Sequence, residues 1–190
     1  PQRYQVEGAL RSAFVKQLPF ALTESQRQVI GELTQDLRGS SPMLRLLQGD
    51  VGCGKTVVAA SLMAVAVQSG YQVVLMAPTE LLAEQHARVL GGYFEPLGVK
   101  VRLVSTRIAP AARASLRKEI AAGAIPIVVG THALIEGPVT FQQLSLVVID
   151  EQHKFGVVQR TALIRKAPMP DVLVMTATPI PRTLALSVYG

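Results

Sequence analysis

Gly49-Asp50-Val51-Gly52-Cys53-Gly54-Lys55-Thr56 follows directly on the apolar run 43–47 and leads into the apolar segment 57–67. A strand that ends in Gly-x-x-x-x-Gly-Lys-Thr and opens into a helix leaves its backbone N–H groups pointing inward around an anion, and its glycines let the main chain approach that anion closely. The stretch therefore reads as a triphosphate cradle. Gly49, Asp50, Gly52, Cys53 and Gly54 wrap the phosphates, Lys55 neutralises their β and γ groups, and the Thr56 hydroxyl can ligate Mg²⁺. A chance glycine turn accounts for neither the preceding strand nor the apolar helix that follows.

Outward from the cradle, strand-like runs at 43–47, 72–77, 100–104, 125–129, 144–149 and 172–176 alternate with helical segments at 55–68, 79–90, 110–122 and 157–166. That alternation predicts an α/β fold, a mostly parallel sheet with helices on both faces, whose ligands gather at the carboxyl ends of the strands. The β-branched run 147–149 delivers Asp150-Glu151-Gln152-His153 to such an end. Two adjacent carboxylates there have separable jobs: Asp150 holds Mg²⁺, directly or through water, and Glu151 orients and deprotonates the water that attacks the γ-phosphorus. The alternative is that the pair caps a following helix.

Other uses of the cradle are tested by the sequence itself. Guanine recognition needs Asn-Lys-x-Asp, and the chain contains no asparagine. A dinucleotide site needs a third glycine where Val57 stands. Small kinases share the cradle but seldom the Asp-Glu-x-His strand. No Gly-x-Ser-x-Gly elbow supports ester hydrolysis. His86, His132 and His153 form no His-x-x-x-His pair and there is no cysteine cluster, so no zinc is assigned.

Upstream, Thr23-x-x-Gln26 is a capping box for a helix running toward Arg38. The surrounding segment, Leu18-Pro19-Phe20-Ala21-Leu22-Thr23-Glu24-Ser25-Gln26, also resembles the Q motif of superfamily 2 nucleic-acid motors. That resemblance implies that the Gln26 amide reads adenine while Phe20 covers the ring, although Phe20 is as well suited to a core. Asp150-Glu151-Gln152-His153 resembles motif II of the same superfamily, the segment from Ala77 to His86 motif Ia, Gly130-Thr131-His132 motif Ib, and Thr176-Ala177-Thr178 through Arg182 an extended motif III.

Within that superfamily the chain, from about Leu18 to Gly190, is most similar to the RecG branch-migration translocases; Gln152 favours them over transcription-repair coupling translocases, which typically carry glutamate there. Cys53 in place of the usual serine, and Lys154 in place of arginine, are departures. The resemblance implies a first RecA-like motor lobe (18–190, with 1–17 as a linker or helix ahead of it) that uses ATP and Mg²⁺ to remodel branched DNA. It implies phosphate contacts from Thr79, Thr131 and His132, the two threonines being equally able to cap helices. It further implies coupling of hydrolysis to movement through Gln152, His153, Thr176, Thr178 and Arg182. A second motor lobe supplying arginine fingers and a wedge domain of OB type are the implied partners, so the 190-residue chain alone, which begins at Pro1 and stops soon after motif III, is expected to be nearly inactive as an ATPase. A nucleotide-gated DNA-binding module without turnover remains the non-enzymatic alternative.

Composition agrees. The chain is 49% hydrophobic over 190 residues, enough for one buried core. A single cysteine excludes an internal disulfide and points to the cytoplasm. The longest apolar stretch falls well short of the ~20 residues that span a bilayer. Net charge +6 suits a polyanion, and Lys100, Arg102, Arg107, Arg113, Arg117 and Lys118 have no acidic residue between them. They form either a phosphate-facing stripe or ordinary solvated faces.

Overall fold

Along the strand Gln72–Met76, Val73 and Leu75 enter one hydrophobic core while Val74 and Met76 enter another. The same division runs through Leu144–Asp150, where Leu146 and Val148 face the first core and Val147 and Ile149 the second. A strand buried on both faces has no polar side to alternate with, which is why these runs are continuously apolar. The computed structural model describes residues 4–131, 134, 139–150 and 169–177. Its strands are β1 (Leu44–Gln48), β2 (Gln72–Met76), β3 (Val101–Val104), β4 (Ile127–Gly130), β5 (Leu144–Asp150) and β6 (Asp171–Thr176), and its helices α1 (Ala9–Gln17), α2 (Glu24–Leu37), α3 (Lys55–Gln68), α4 (Glu80–Phe94) and α5 (Pro110–Ala121). All pair in parallel in the order β1-β6-β5-β2-β4-β3. The six strands fall within about two residues of the runs read from sequence; β4 begins beyond Pro126, which has no N–H to donate to a ladder. The helix expected over 157–166 lies outside the described residues.

α3 carries ten consecutive buried residues, Val57 to Ala66, four of them alanine. Such a helix is apolar all round because it is covered on both sides: the sheet lies beneath it, and α1 and α2 pack over it. The segment set apart in sequence as a linker or helix is thus, in its described part, a helix with its largest side chain in the main core. Phe14 is fully buried, stacked on Phe94 at 5.3 Å and edge-on to Tyr93 at 5.7 Å.

The chain ahead of α1 is also anchored. The Tyr4 hydroxyl donates to Asp171 Oδ2 at 2.5 Å, and Asp171 Oδ1 accepts from the Met43 amide at 2.6 Å, tying the amino-terminal segment to the starts of β1 and β6. Burial raises the Asp171 carboxyl above the usual carboxylate range, with these two hydrogen bonds opposing it, and burial plus the contact with Asp171 raises the Tyr4 phenol. Tyr4→Phe leaves a buried carboxylate one donor short and should cost about 1–3 kcal/mol, read as a lower urea midpoint. Because the folded phenol is raised, its contribution is complete below pH ~10 and fades as pH climbs past the unfolded value. The gap between wild type and variant should therefore narrow in alkali; a midpoint shared at pH 8 would show that the latch contributes nothing.

Candidate functional site: a phosphate cradle beside a carboxylate

Register brings the two halves of the site together. Leu47 lies opposite Met175, and Met175 opposite Asp150, so the end of β1 and Asp150 are separated by one intervening strand, or about 10 Å at ordinary strand spacing. The Gly49 amide donates to the Thr176 carbonyl at 3.2 Å, joining the cradle directly to the end of β6. Thr176 itself is 1% exposed.

Gly52 (φ 82°) and Gly54 (φ 87°) hold left-handed conformations that side-chain-bearing residues rarely adopt. Gly54 is also a close approach: a Cβ there would lie 2.2 Å from Gln26 Nε2. The Lys55 ammonium donates to the Gly49 carbonyl at 2.7 Å and the Asp50 carbonyl at 2.9 Å, so it is held inside its own loop, where incoming phosphate oxygens can replace the carbonyls. Cys53 is exposed, with its amide donating to the Asp50 carbonyl at 3.2 Å.

Gln26 realises the capping box in full. Its backbone N–H donates to Thr23 Oγ1 at 3.2 Å, and its side-chain Oε1 accepts from the Thr23 backbone N–H at 2.9 Å. Its Nε2 goes on to donate to the Cys53 carbonyl at 3.0 Å, so the cap doubles as a brace for the cradle. Phe20 is 46% exposed, which removes the core reading and leaves its ring at the surface.

The donor set suits a hard cation. The Thr56 hydroxyl, in the first turn of α3, and the Asp150 carboxylate, at the carboxyl end of β5, are oxygen donors of the kind Mg²⁺ prefers.

Sequence reading assigned His86 no role. In the structure its Nε2 lies 2.6 Å from Asp150 Oδ2, with the two side chains 12% and 14% exposed. A signal for this placement existed: Ala83, His86, Leu90 and Phe94 share one helical face, and the three apolar members are buried.

Thr79 caps α4, its hydroxyl accepting from the Leu82 amide at 3.3 Å while the residue stays exposed, whereas Thr131 is 1% exposed. The basic segment is partly neutralised by acids from elsewhere. Arg102 pairs with Glu95 at 3.2 Å and Arg107 with Glu84 at 3.0 Å, while Arg113 donates to the Thr106 and Ile108 carbonyls. Glu80 accepts from the Thr106 amide and hydroxyl; burial pushes its carboxyl upward, but hydrogen bonds from Ser105 and Thr106 outweigh it and hold the group below the usual range. Glu151, Gln152, His153, His132, Thr178 and Arg182 lie outside the described residues.

A parallel sheet with a glycine cradle after one strand and an acidic residue ending a strand two places along defines a P-loop domain of the RecA-like fold. Residues 23–186 match the DEAD/DEAH box helicase family, and the chain belongs to that family. It is 53% identical over 189 residues to the ATP-dependent DNA helicase RecG of Bacillus subtilis, covering all of this chain and 27% of that protein. Against RecG of Escherichia coli O157:H7 the identity is 48% over 193 residues, again covering all of this chain and 28% of the relative. The chain thus spans about a quarter of the length of the curated relatives it matches. A solved structure of RecG bound to a three-way DNA junction superposes with a TM-score of 0.86 at 43% identity, covering 98% of this chain and 25% of that one. A DEAD box protein from Methanococcus jannaschii, at 18% identity and a TM-score of 0.72, shares the fold.

Proposed function

We propose that this chain is the ATP-binding motor lobe of a cytoplasmic DNA helicase of the RecG kind, one that couples ATP hydrolysis to the remodelling of branched DNA. The observation that carries the proposal is that the cradle holding Lys55, bonded through Gly49 to the Thr176 carbonyl at the end of β6, and Asp150 at the end of β5 lie at the carboxyl ends of neighbouring strands. The RecG relatives, and the three-way junction in one of their structures, favour branched DNA over the RNA-polymerase-linked alternative.

In this reading the cradle amides and Lys55 bind the β- and γ-phosphates, while Gln26 and Phe20 take the adenine. Gln26 would do so by exchanging its present contacts with Thr23 and Cys53. Thr56 and Asp150 would hold Mg²⁺, which would supply neutralisation of the phosphate charge. Glu151 positions the attacking water and accepts its proton. Thr79, Thr131 and His132 contact phosphates along the DNA track. Gln152, His153, Thr176, Thr178 and Arg182 relay the nucleotide state toward it. A second RecA-like lobe and a wedge domain complete the motor, and zinc has no part in it.

The deciding measurement is ATP turnover by the full-length protein with a three-way junction, with linear duplex and without DNA. The expected result is Mg²⁺-dependent hydrolysis stimulated severalfold, and most strongly by the junction. A protein that binds both ATP and DNA while its turnover stays near zero on every DNA is a nucleotide-gated binding module instead.

A further inference from the structure

α4 is held at both ends of its amino-terminal half. Thr79 caps it, Glu80 and Glu84 grip Thr106 and Arg107 in the loop after β3, and two residues beyond Glu84 His86 reaches across to the end of β5. We infer that His86 is a positioning residue for the metal-binding carboxylate, its ring N–H fixing the rotamer in which Asp150 meets Mg²⁺. The inference rests on the reading of Asp150 as a magnesium ligand.

The chemistry of the pair supports it. An ionised carboxylate only accepts hydrogen bonds, so Nε2 carries the hydrogen and donates to Oδ2. At 2.6 Å the contact is at the short end for a charge-assisted bond, and both side chains are largely removed from water. The histidine is itself placed by a rigid element, since Ala83, Leu90 and Phe94 bury the same face of α4. A carboxylate at a strand end can turn about its χ angles; one oxygen tied to a fixed ring leaves fewer orientations for the other. Partners of this kind around a metal ligand are worth about 10- to 100-fold in metal affinity when removed. Helix α4 thereby becomes a physical link between the loop carrying Thr106 and Arg107 and the carboxylate at the phosphate site.

The test uses the full-length protein and three variants, reading Mg²⁺ half-saturation for binding of a fluorescent, non-hydrolysable ATP analogue. His86→Gln keeps an N–H donor of similar reach, whereas His86→Leu fills the space without one. The leucine variant should need about 10-fold more Mg²⁺ or higher, the glutamine variant should stay close to wild type, and analogue binding in excess EDTA should be the same in all. Asp150→Asn separates the two levels of the argument. If it leaves Mg²⁺ half-saturation unchanged, the ligand reading of Asp150 is wrong. If it raises half-saturation while leucine and glutamine at position 86 behave alike, only the role of His86 is overturned. Loss of folding in both His86 variants also overturns it, because the residue is then structural.

Discussion

Lys55→Ala should weaken ATP binding by about 10- to 100-fold and slow hydrolysis by about 10³-fold while leaving the fold intact. The first figure follows from losing charge-assisted hydrogen bonds to phosphate, at about 1.5–3 kcal/mol, with 1.4 kcal/mol per factor of ten. The second adds the charge that a preorganised donor stabilises in the transition state, worth about 10²–10³ in rate for a single group. Stability should move by no more than about 0.5 kcal/mol. Lys55 is half-buried at the first position of α3, and its Nζ contacts are to loop carbonyls at 2.7 and 2.9 Å that remain near solvent without it. A fluorescent-nucleotide titration and a phosphate-release assay on the full-length protein read the two effects separately. Unchanged affinity would remove the phosphate cradle from the site, and with it the case for a motor.

Why the cradle and the sheet were legible in the sequence, and other features were not, has a physical basis. Val73 to Met76 and Leu146 to Ile149 are buried on both faces, so each strand is written as an uninterrupted apolar run. The cradle is equally local: two left-handed glycines, a lysine and a hydroxyl within eight residues. Strand order is different. Nothing in the run at β1 says that it pairs with β6, more than a hundred residues later, because parallel ladders are contacts between distant segments whose side chains look alike. The same limit hid the meeting of His86 with Asp150 across 64 positions. It also made the basic segment look unpartnered, since Glu84 and Glu95, which neutralise Arg107 and Arg102, belong to earlier elements. Gln26 shows the opposite case. The capping box is local and legible, and its geometry points a Gln26 side-chain N–H at the Cys53 carbonyl in the cradle.

Phe14→Ala should produce the largest loss of stability of any change considered, about 3–5 kcal/mol. The side chain is fully buried and makes both a stacked and an edge-on ring contact, geometries that add about 0.5–1.5 kcal/mol beyond area burial. Against a typical domain stability of about 5–15 kcal/mol, such a loss is a large fraction of the whole. It would fall first on α4, because Tyr93 and Phe94 at that helix's end lose the ring that packs on them, and α4 is the element that carries His86 and is capped by Thr79. Amide exchange in the full-length protein measures this directly: protection in α1 and in the second half of α4 should drop together. Val15→Ala, on the same helix but 43% exposed, should change protection by less than about 0.5 kcal/mol. A drop of under 1 kcal/mol for Phe14→Ala, or one confined to α1, would make that helix an appendage of the motor fold. A joint drop would instead extend the motor fold forward through α1 toward Tyr4.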